Sequence, residues 1–207
     1  MARGAPTSEW EEAVGQLAAA KASARRAAAK KLRKLAEPAA EDSLISALER
    51  ELEHPRTWEV QFEMINALGT CGGARAERVV RELAERELRY KSLYTASGET
   101  SLRLSAQRGD PGEAVRWSVA SANADLVDGV LKGLAETGVA LSSQDTEALL
   151  DFLEGQGPYE GVHYWAAVAA ARWPGERARS YVAGLAAGPR ADVAEAARTS
   201  LSARGDI

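Results

Sequence analysis

Apolar residues recur along this chain at the spacing of amphipathic helices. One predicted helix, over residues 41–53, has apolar residues at positions i, i+1, i+4 and i+8: Leu44, Ile45, Leu48 and Leu52. A second apolar stripe follows after a short break and ends at Gly69: Trp58, Phe62, Ile65 and Leu68. Such stripes mark the buried face of a helix, whereas the period-two alternation of strands is nearly absent. The pattern therefore predicts an all-α protein.

Similar helix pairs are predicted over residues 144–173 and 176–204. A proline with a valine four or five positions later marks four predicted helix starts: Pro55/Val60, Pro111/Val115, Pro158/Val162 and Pro189/Val193. Proline suits the first position of a helix because its missing N–H has no partner there. Neither helix of a pair can bury its stripe alone, so we expect neighbouring pairs to stack around one core. Trp58, Trp165 and Trp173 fall on these stripes and are predicted to anchor that core.

The segment LISALERELEHPRTWEVQFEMINALG, residues 44–69, resembles one complete repeat of the HEAT-like proteins, including the bilin-lyase-type HEAT repeat family. Residues 144–173 and 176–204 are similar, the latter alanine-rich. The resemblance implies an α-solenoid, or α-α superhelix, of about six antiparallel helix pairs. It also implies a single repeat domain over residues 1–207, with 1–40 as an N-terminal capping pair and 41–73 and 144–204 as the clearest repeats.

The stretch 90–110 departs from this pattern. It is polar and is interrupted at Ser97-Gly98, so we expect an irregular segment or insertion there.

Charge is unevenly distributed. The net charge is −4 and the isoelectric point about 5.4, which argues against a domain devoted to the phosphate backbone of nucleic acids. Residues 1–40 nevertheless hold more basic than acidic side chains, and residues 121–171 hold mainly acidic ones. The acidic residues of that region are expected to form a solvated face or to attract a basic partner: Asp125, Asp128, Glu136, Asp145, Glu147, Asp151, Glu154 and Glu160.

The few cysteines and histidines limit the disulfides and metal sites that the chain could form. The single cysteine, Cys71, favours a reducing compartment, and the chain shows neither a secretory leader nor an apolar run long enough to span a membrane. A cytoplasmic location is expected. His54 and His163 stand far apart without ligand-spaced neighbours, so no metal site and no cofactor are predicted. Glycine-rich phosphate loops, nucleophile elbows and catalytic triads are also lacking.

Two surfaces are candidates for binding. In HEAT arrays the second helices line the concave face, so the resemblance implies a partner-binding strip formed by Glu59, Glu63 and Asn66, with Arg56 beside it. Tyr164 points away from its helix's apolar stripe and is a candidate recognition aromatic. These five residues predict a non-catalytic scaffold or adaptor for a protein partner, with a basic protein as the candidate. The sequence leaves the oligomeric state of the chain open.

The alternative is nucleic-acid binding, because some HEAT-like proteins are DNA alkylbase glycosylases with a curved basic surface. The candidate residues form a basic stripe on the predicted helix over residues 21–36: Arg26, Lys30, Arg33 and Lys34. The acidic later half of the chain argues against nucleic-acid binding. The sequence leaves open whether the protein is an enzyme, and it favours binding without catalysis.

Overall fold

The computed structural model describes residues 8–204, and within them every regular element is helical. The prediction of an all-α protein is confirmed. The helices are α1 Glu9–Gln16, α2 Ala22–Leu35, α3 Glu41–Leu52, α4 Trp58–Cys71, α5 Ala74–Ala84, α6 Lys91–Gln107, α7 Pro111–Ala120, α8 Ala124–Thr137, α9 Ser143–Glu154, α10 Val162–Ala169, α11 Glu176–Ala186 and α12 Ala191–Arg204. Single turns of 3-10 helix occur at Pro38–Ala40, Pro55–Thr57 and Ala170–Arg172.

Side-chain caps fix several helix starts. Ser8 and Glu11 form the predicted capping box at α1, in which each side chain accepts a hydrogen bond from the other residue's backbone N–H. Asp110, Asn123 and Ser142 accept hydrogen bonds from first-turn N–H groups of α7, α8 and α9. Each cap satisfies a donor that the helix itself leaves free.

The chain divides into two compact units, of which the first ends at Thr100 and the second begins at Ser101, within α6. In the first unit, α2 packs against α1 and α4, and α3 packs against α4 and α5. The long contact between α2 and α4 buries Leu32 and Leu68. Residues of both helices also line the site described below.

The second unit has two rows of helices. Helices α7, α9 and α11 contact one another in that order, and α8, α10 and α12 do the same. This neighbour pattern is the one expected of stacked helix pairs. Its core contains Val127, Leu131, Leu150 and Trp173. The extension of this pattern to a HEAT-type solenoid over the whole chain stays a prediction.

The expectation of an irregular segment at 90–110 is wrong, because α6 runs without interruption through Ser97 and Gly98. Its middle residues are polar but buried, and short hydroxyl side chains bond back to the helix. The Ser97 hydroxyl donates to the Leu93 carbonyl (2.8 Å), and the Thr100 hydroxyl donates to the Ile65 carbonyl in α4 (2.9 Å). The polarity of this stretch therefore belongs to a buried helix.

The prolines mark helix starts less directly than the sequence suggested. Pro111 is the first residue of α7, and Pro55 begins a 3-10 turn ahead of α4. Pro158 and Pro189 lie in the turns that precede α10 and α12, so the prediction that each begins a helix is wrong. At the first of these turns the chain reverses through a hydrogen bond from Glu160 N to Gly157 O before the helix begins.

Of the predicted tryptophan anchors, only Trp173 is fully buried, at 3% exposure. Trp58 and Trp165 are half-buried, so neither is a fully buried anchor, although Trp165 packs against the core of the second unit. Each lies at the edge of the core against another ring. Trp58 stacks on Tyr90 with centroids 5.4 Å apart, and Trp165 meets Tyr164 edge to face at 5.1 Å.

Candidate functional site

A cleft of about 400 Å³ lies between α2 and the start of α4. We call it the α2–α4 cleft, and its lining residues are Ala22, Ser23, Arg26, Ala27, Lys30, Arg56, Thr57, Trp58, Glu59 and Val60. It brings together residues from both predicted surfaces, since Arg56 and Glu59 come from the partner-binding strip and Arg26 and Lys30 from the basic stripe.

The two predicted surfaces neutralise each other across this cleft. Arg26 Nη1 lies 2.8 Å from Glu59 Oε2, and Arg26 Nε lies 3.7 Å from Glu63 Oε1. Lys30 Nζ lies 3.4 Å from the same Glu63 oxygen. Because α2 packs along this face of α4, the strip is not an open acidic surface and the stripe is not a row of unpaired cations.

Two residues of the partner-binding strip are buried, so their prediction as an exposed, ligand-facing surface is wrong. The Glu63 side chain is 8% exposed, and Asn66 as a residue is 2% exposed. The Asn66 amide nitrogen donates to the Phe62 carbonyl (3.0 Å), while its oxygen has no hydrogen-bond partner. The packing of α2 onto α4 covers both, which a helical wheel of α4 alone cannot show.

The remaining residues of the basic stripe lie outside the cleft. Arg33 Nη2 donates to Glu99 Oε1 at 3.3 Å, and Glu99 is almost completely buried. Lys34 is exposed at the end of α2 and does not line the cleft. The predicted stripe therefore contributes only Arg26 and Lys30 to a shared site.

Arg56 differs from the other cations of the cleft. It is exposed in the 3-10 turn before α4, and among the described residues its side chain has no ion-pair or hydrogen-bond partner. Next to it, Trp58 is held against Tyr90, whose ring also lies 5.5 Å from the Arg89 guanidinium carbon. The cleft thus combines a free cation with a fixed aromatic wall.

Tyr164 lies in the second unit, in a separate groove of about 470 Å³ between α10 and α12. This α10–α12 groove is lined by Tyr164, Val168, Ala171, Asp192, Glu195, Ala196, Thr199, Ser200 and Ala203. The role of Tyr164 as a recognition aromatic stays a prediction; the residue is half-buried in the wall of this groove. The sequence did not indicate that α12 forms a wall of this groove, because alanines are common throughout helices and do not by themselves mark a binding surface.

Most of the acidic residues between 121 and 171 have basic partners in the second unit. Arg177 binds Glu147, Asp151 and Glu154 at 2.6 to 2.7 Å. Asp145 is buried and accepts a hydrogen bond from Arg116 Nη1 at 2.6 Å. The expectation of a solvated acidic face is therefore confirmed for most of these residues, which are exposed although several are paired with arginines, and it is wrong for buried Asp145.

His163 has a packing role in the second unit. It is buried, with Nε2 3.0 Å from the Gly157 carbonyl and Nδ1 2.8 Å from the Tyr181 hydroxyl. A carbonyl can only accept, so Nε2 carries a proton and donates it to Gly157, while Nδ1 forms the hydrogen bond with the Tyr181 hydroxyl. Burial raises the pKa of Tyr181, which keeps that hydroxyl protonated. Within residues 8–204, no group of three or more potential ligands is placed to hold a metal ion.

The helices of the described part also lack the length and apolar character needed to span a membrane.

Comparisons with known proteins leave the family open. No family model matches the chain, and no curated protein matches it. Among solved structures, the crystal structure of an engineered protein is similar over 97% of this chain and 100% of that one, at 15% identity and a TM-score of 0.48. Similarity at this level supports no conclusion about function.

Proposed function

We propose that this protein is a non-catalytic protein-binding module, and that its α10–α12 groove receives an amphipathic helix of a partner protein with a basic residue facing Glu195. The observation that carries the proposal is the composition of this groove, which combines small apolar side chains, one aromatic ring and one unpaired carboxylate. Helix-in-groove binding is a common use of such a surface.

The groove walls suit the close approach of a helix. Val168 and Ala171 lie on the α10 side, and Ala196 and Ala203 lie on α12. Small side chains allow two helix backbones to pack closely, and apolar surface buried there contributes roughly 25 cal/mol per Å². A partner helix would therefore bind mainly through its own apolar stripe.

Tyr164 supplies a recognition element at the rim of the groove. Its ring meets Trp165 edge to face, so the side chain is partly ordered before any partner binds. An aromatic ring fixed in this way loses little conformational freedom on binding, and tyrosines are frequent among the residues that dominate interface energies.

The charge of the groove selects a basic partner. Asp192 is already paired, since Arg190 Nη2 lies 2.6 Å from its Oδ2. Glu195 is exposed, and its carboxylate has no ion-pair partner among the described residues. One unpaired acidic group beside an apolar surface favours a lysine or arginine on the docking helix.

Site-specific cross-linking in the native host tests the proposal. A photo-reactive residue in place of exposed Ala203 should cross-link a partner, and the cross-linked peptide, identified by mass spectrometry, should be a helix-forming segment with basic residues. The matched control replaces exposed Ala183 on α11, outside the groove, and should give no such product. Equal cross-linking at both positions, or an acidic cross-linked segment, would contradict the proposal.

A further inference from the structure

We propose that the α2–α4 cleft is a binding site for a small phosphate monoester that carries a planar ring, such as a nucleoside monophosphate. This proposal concerns residues of the first unit only and does not depend on the α10–α12 groove. The cleft volume of about 400 Å³ falls in the range of small-molecule sites.

Three cations, two on α2 and one in the turn before α4, provide the anion contacts. Arg26 and Lys30 project from α2, and Arg56 projects from the turn before α4. Arg56 is unpaired among the described residues, and the fork of its guanidinium fits two phosphate oxygens. The Arg26 Nε is buried and has no hydrogen-bond partner, since the Glu63 oxygen is 3.7 Å away.

The start of α4 adds to the positive potential. Thr57, at the N-cap position, donates its hydroxyl to the His54 carbonyl (2.8 Å) and makes no cap bond to the first turn of α4. Residues 57–60 line the cleft, so this first turn lies beside the bound anion. The N-terminal end of a helix stabilises negative charge through its free N–H groups and its dipole.

The aromatic and apolar part of the lining specifies a ring on the ligand. Trp58 is held by its stack on Tyr90, with an angle of 25° between the two rings. Ala22, Ala27 and Val60 complete this part of the wall. A planar, largely apolar group fits such a surface better than a flexible polar chain does, which distinguishes the proposed ligand from free phosphate.

The distribution of charge favours a small anion over a nucleic acid. Along α2, Arg33 is paired with Glu99, and Lys34 lies outside the cleft. The cations that line the cleft are therefore a small group, Arg26, Lys30 and Arg56, and do not continue as a row along α2. A polyanion would need a row of phosphate contacts to bind strongly, and the whole chain carries a net charge of −4.

Isothermal titration calorimetry of the full chain tests this site, with adenosine monophosphate as the probe and with adenosine and inorganic phosphate as its two halves. We expect the monophosphate to bind at least about tenfold more tightly than either half, because both contacts are then made together. Arg56→Gln should weaken its binding about tenfold, as the loss of a charge-assisted hydrogen bond implies. Arg78→Gln, an exposed arginine on α5 without an ion pair, is the matched control and should bind like the parent.

A second variant tests the site by gain of affinity. Glu59→Gln removes the carboxylate that holds Arg26 Nη1, so it should tighten binding of the monophosphate severalfold without altering the fold. The proposal is overturned if neither the parent nor Glu59→Gln binds the monophosphate. It is overturned equally if Arg56→Gln and Arg78→Gln bind alike, or if an oligonucleotide or a phosphopeptide binds while the monophosphate does not.

Discussion

Arg25 and Glu51 form a bidentate ion pair that joins α2 to α3, with Nε 2.7 Å from Oε2 and Nη2 2.8 Å from Oε1. Arg25 also donates to the carbonyls of Ala19 and Ala20 in the turn before α2. The Glu51 residue is buried. One guanidinium therefore fixes both the start of α2 and its distance from α3, and α2 carries one wall of the α2–α4 cleft.

Glu51→Ala should destabilise the protein by about 3 kcal/mol, because it leaves the largely buried Arg25 without its counter-charge. Chemical denaturation of the variant against the parent measures this loss. Glu49→Ala, an exposed glutamate on the same helix, is the control and should change stability by less than about 0.5 kcal/mol. If the two variants unfold alike, the ion pair does not hold α2 in place.

The contribution of the Arg25–Glu51 ion pair to stability depends on pH. Burial alone would raise the pKa of Glu51, but the hydrogen bonds and charge of Arg25, together with a weaker contribution from Thr57, outweigh burial, and the pKa is lowered. A carboxylate with a lowered pKa in the folded state contributes stability above its unfolded pKa, and that stability is lost as the pH falls. The destabilisation caused by Glu51→Ala should therefore shrink below about pH 4.

Trp173→Ala should cost about 3–5 kcal/mol, the usual range for deleting a buried aromatic ring. Trp173 packs in the core of the second unit and its ring lies 6.4 Å from that of Tyr181. Trp165→Ala serves as the comparison and should cost less, since Trp165 is only half-buried. Thermal unfolding of both variants gives the ranking, and the reverse order would show that the core is centred on α10.

Asp128→Asn should stabilise the protein at neutral pH. Burial, and then the charge of Asp125, raises the pKa of Asp128 to about 6 despite Lys132. Ionising a group with a raised pKa costs stability, so the contribution of Asp128 to stability is most favourable below about pH 4 and is lost as the pH rises through about 6.

The asparagine variant does not ionise, so it should match the parent near pH 4 and exceed it by about 1–2 kcal/mol at pH 7, after allowance for partial exposure. Denaturation curves of the variant and the parent at these two pH values measure the difference in their free energies of unfolding. A variant less stable than the parent at pH 7 would mean that the Asp128 carboxylate is stabilised by its surroundings.

Features that depend on residues close together in the sequence were predicted correctly. The Ser8 and Glu11 capping box forms as predicted, and Pro111 begins α7. In contrast, the prediction of an irregular segment at 90–110 was wrong, because the structure of this segment depends on its burial, which the sequence pattern does not show. A helix whose Ser97 and Thr100 hydroxyls are satisfied by carbonyls can be polar and still lie in a core.

The candidate sites were predictable only in part, because each one depends on which helices pack together. Arg26 and Glu59 were both identified from sequence, but as members of two separate surfaces. Their ion pair follows from the packing of α2 on α4, which no spacing within either helix encodes. Tyr164 and Glu195 lie 31 positions apart, and only the contact between α10 and α12 places them in one groove.

Charge reversal at Glu195, with repair on the partner, tests the proposed binding function most directly. Once cross-linking has identified the basic residue that faces the groove, Glu195→Arg should weaken complex formation by about tenfold or more while leaving the melting temperature nearly unchanged. Glu82→Arg, at an exposed position on α5, is the control. Binding should be restored when the partner's basic residue is changed to glutamate, as measured by calorimetry. Unchanged binding in Glu195→Arg, or a loss that the partner substitution does not repair, would contradict docking in the α10–α12 groove.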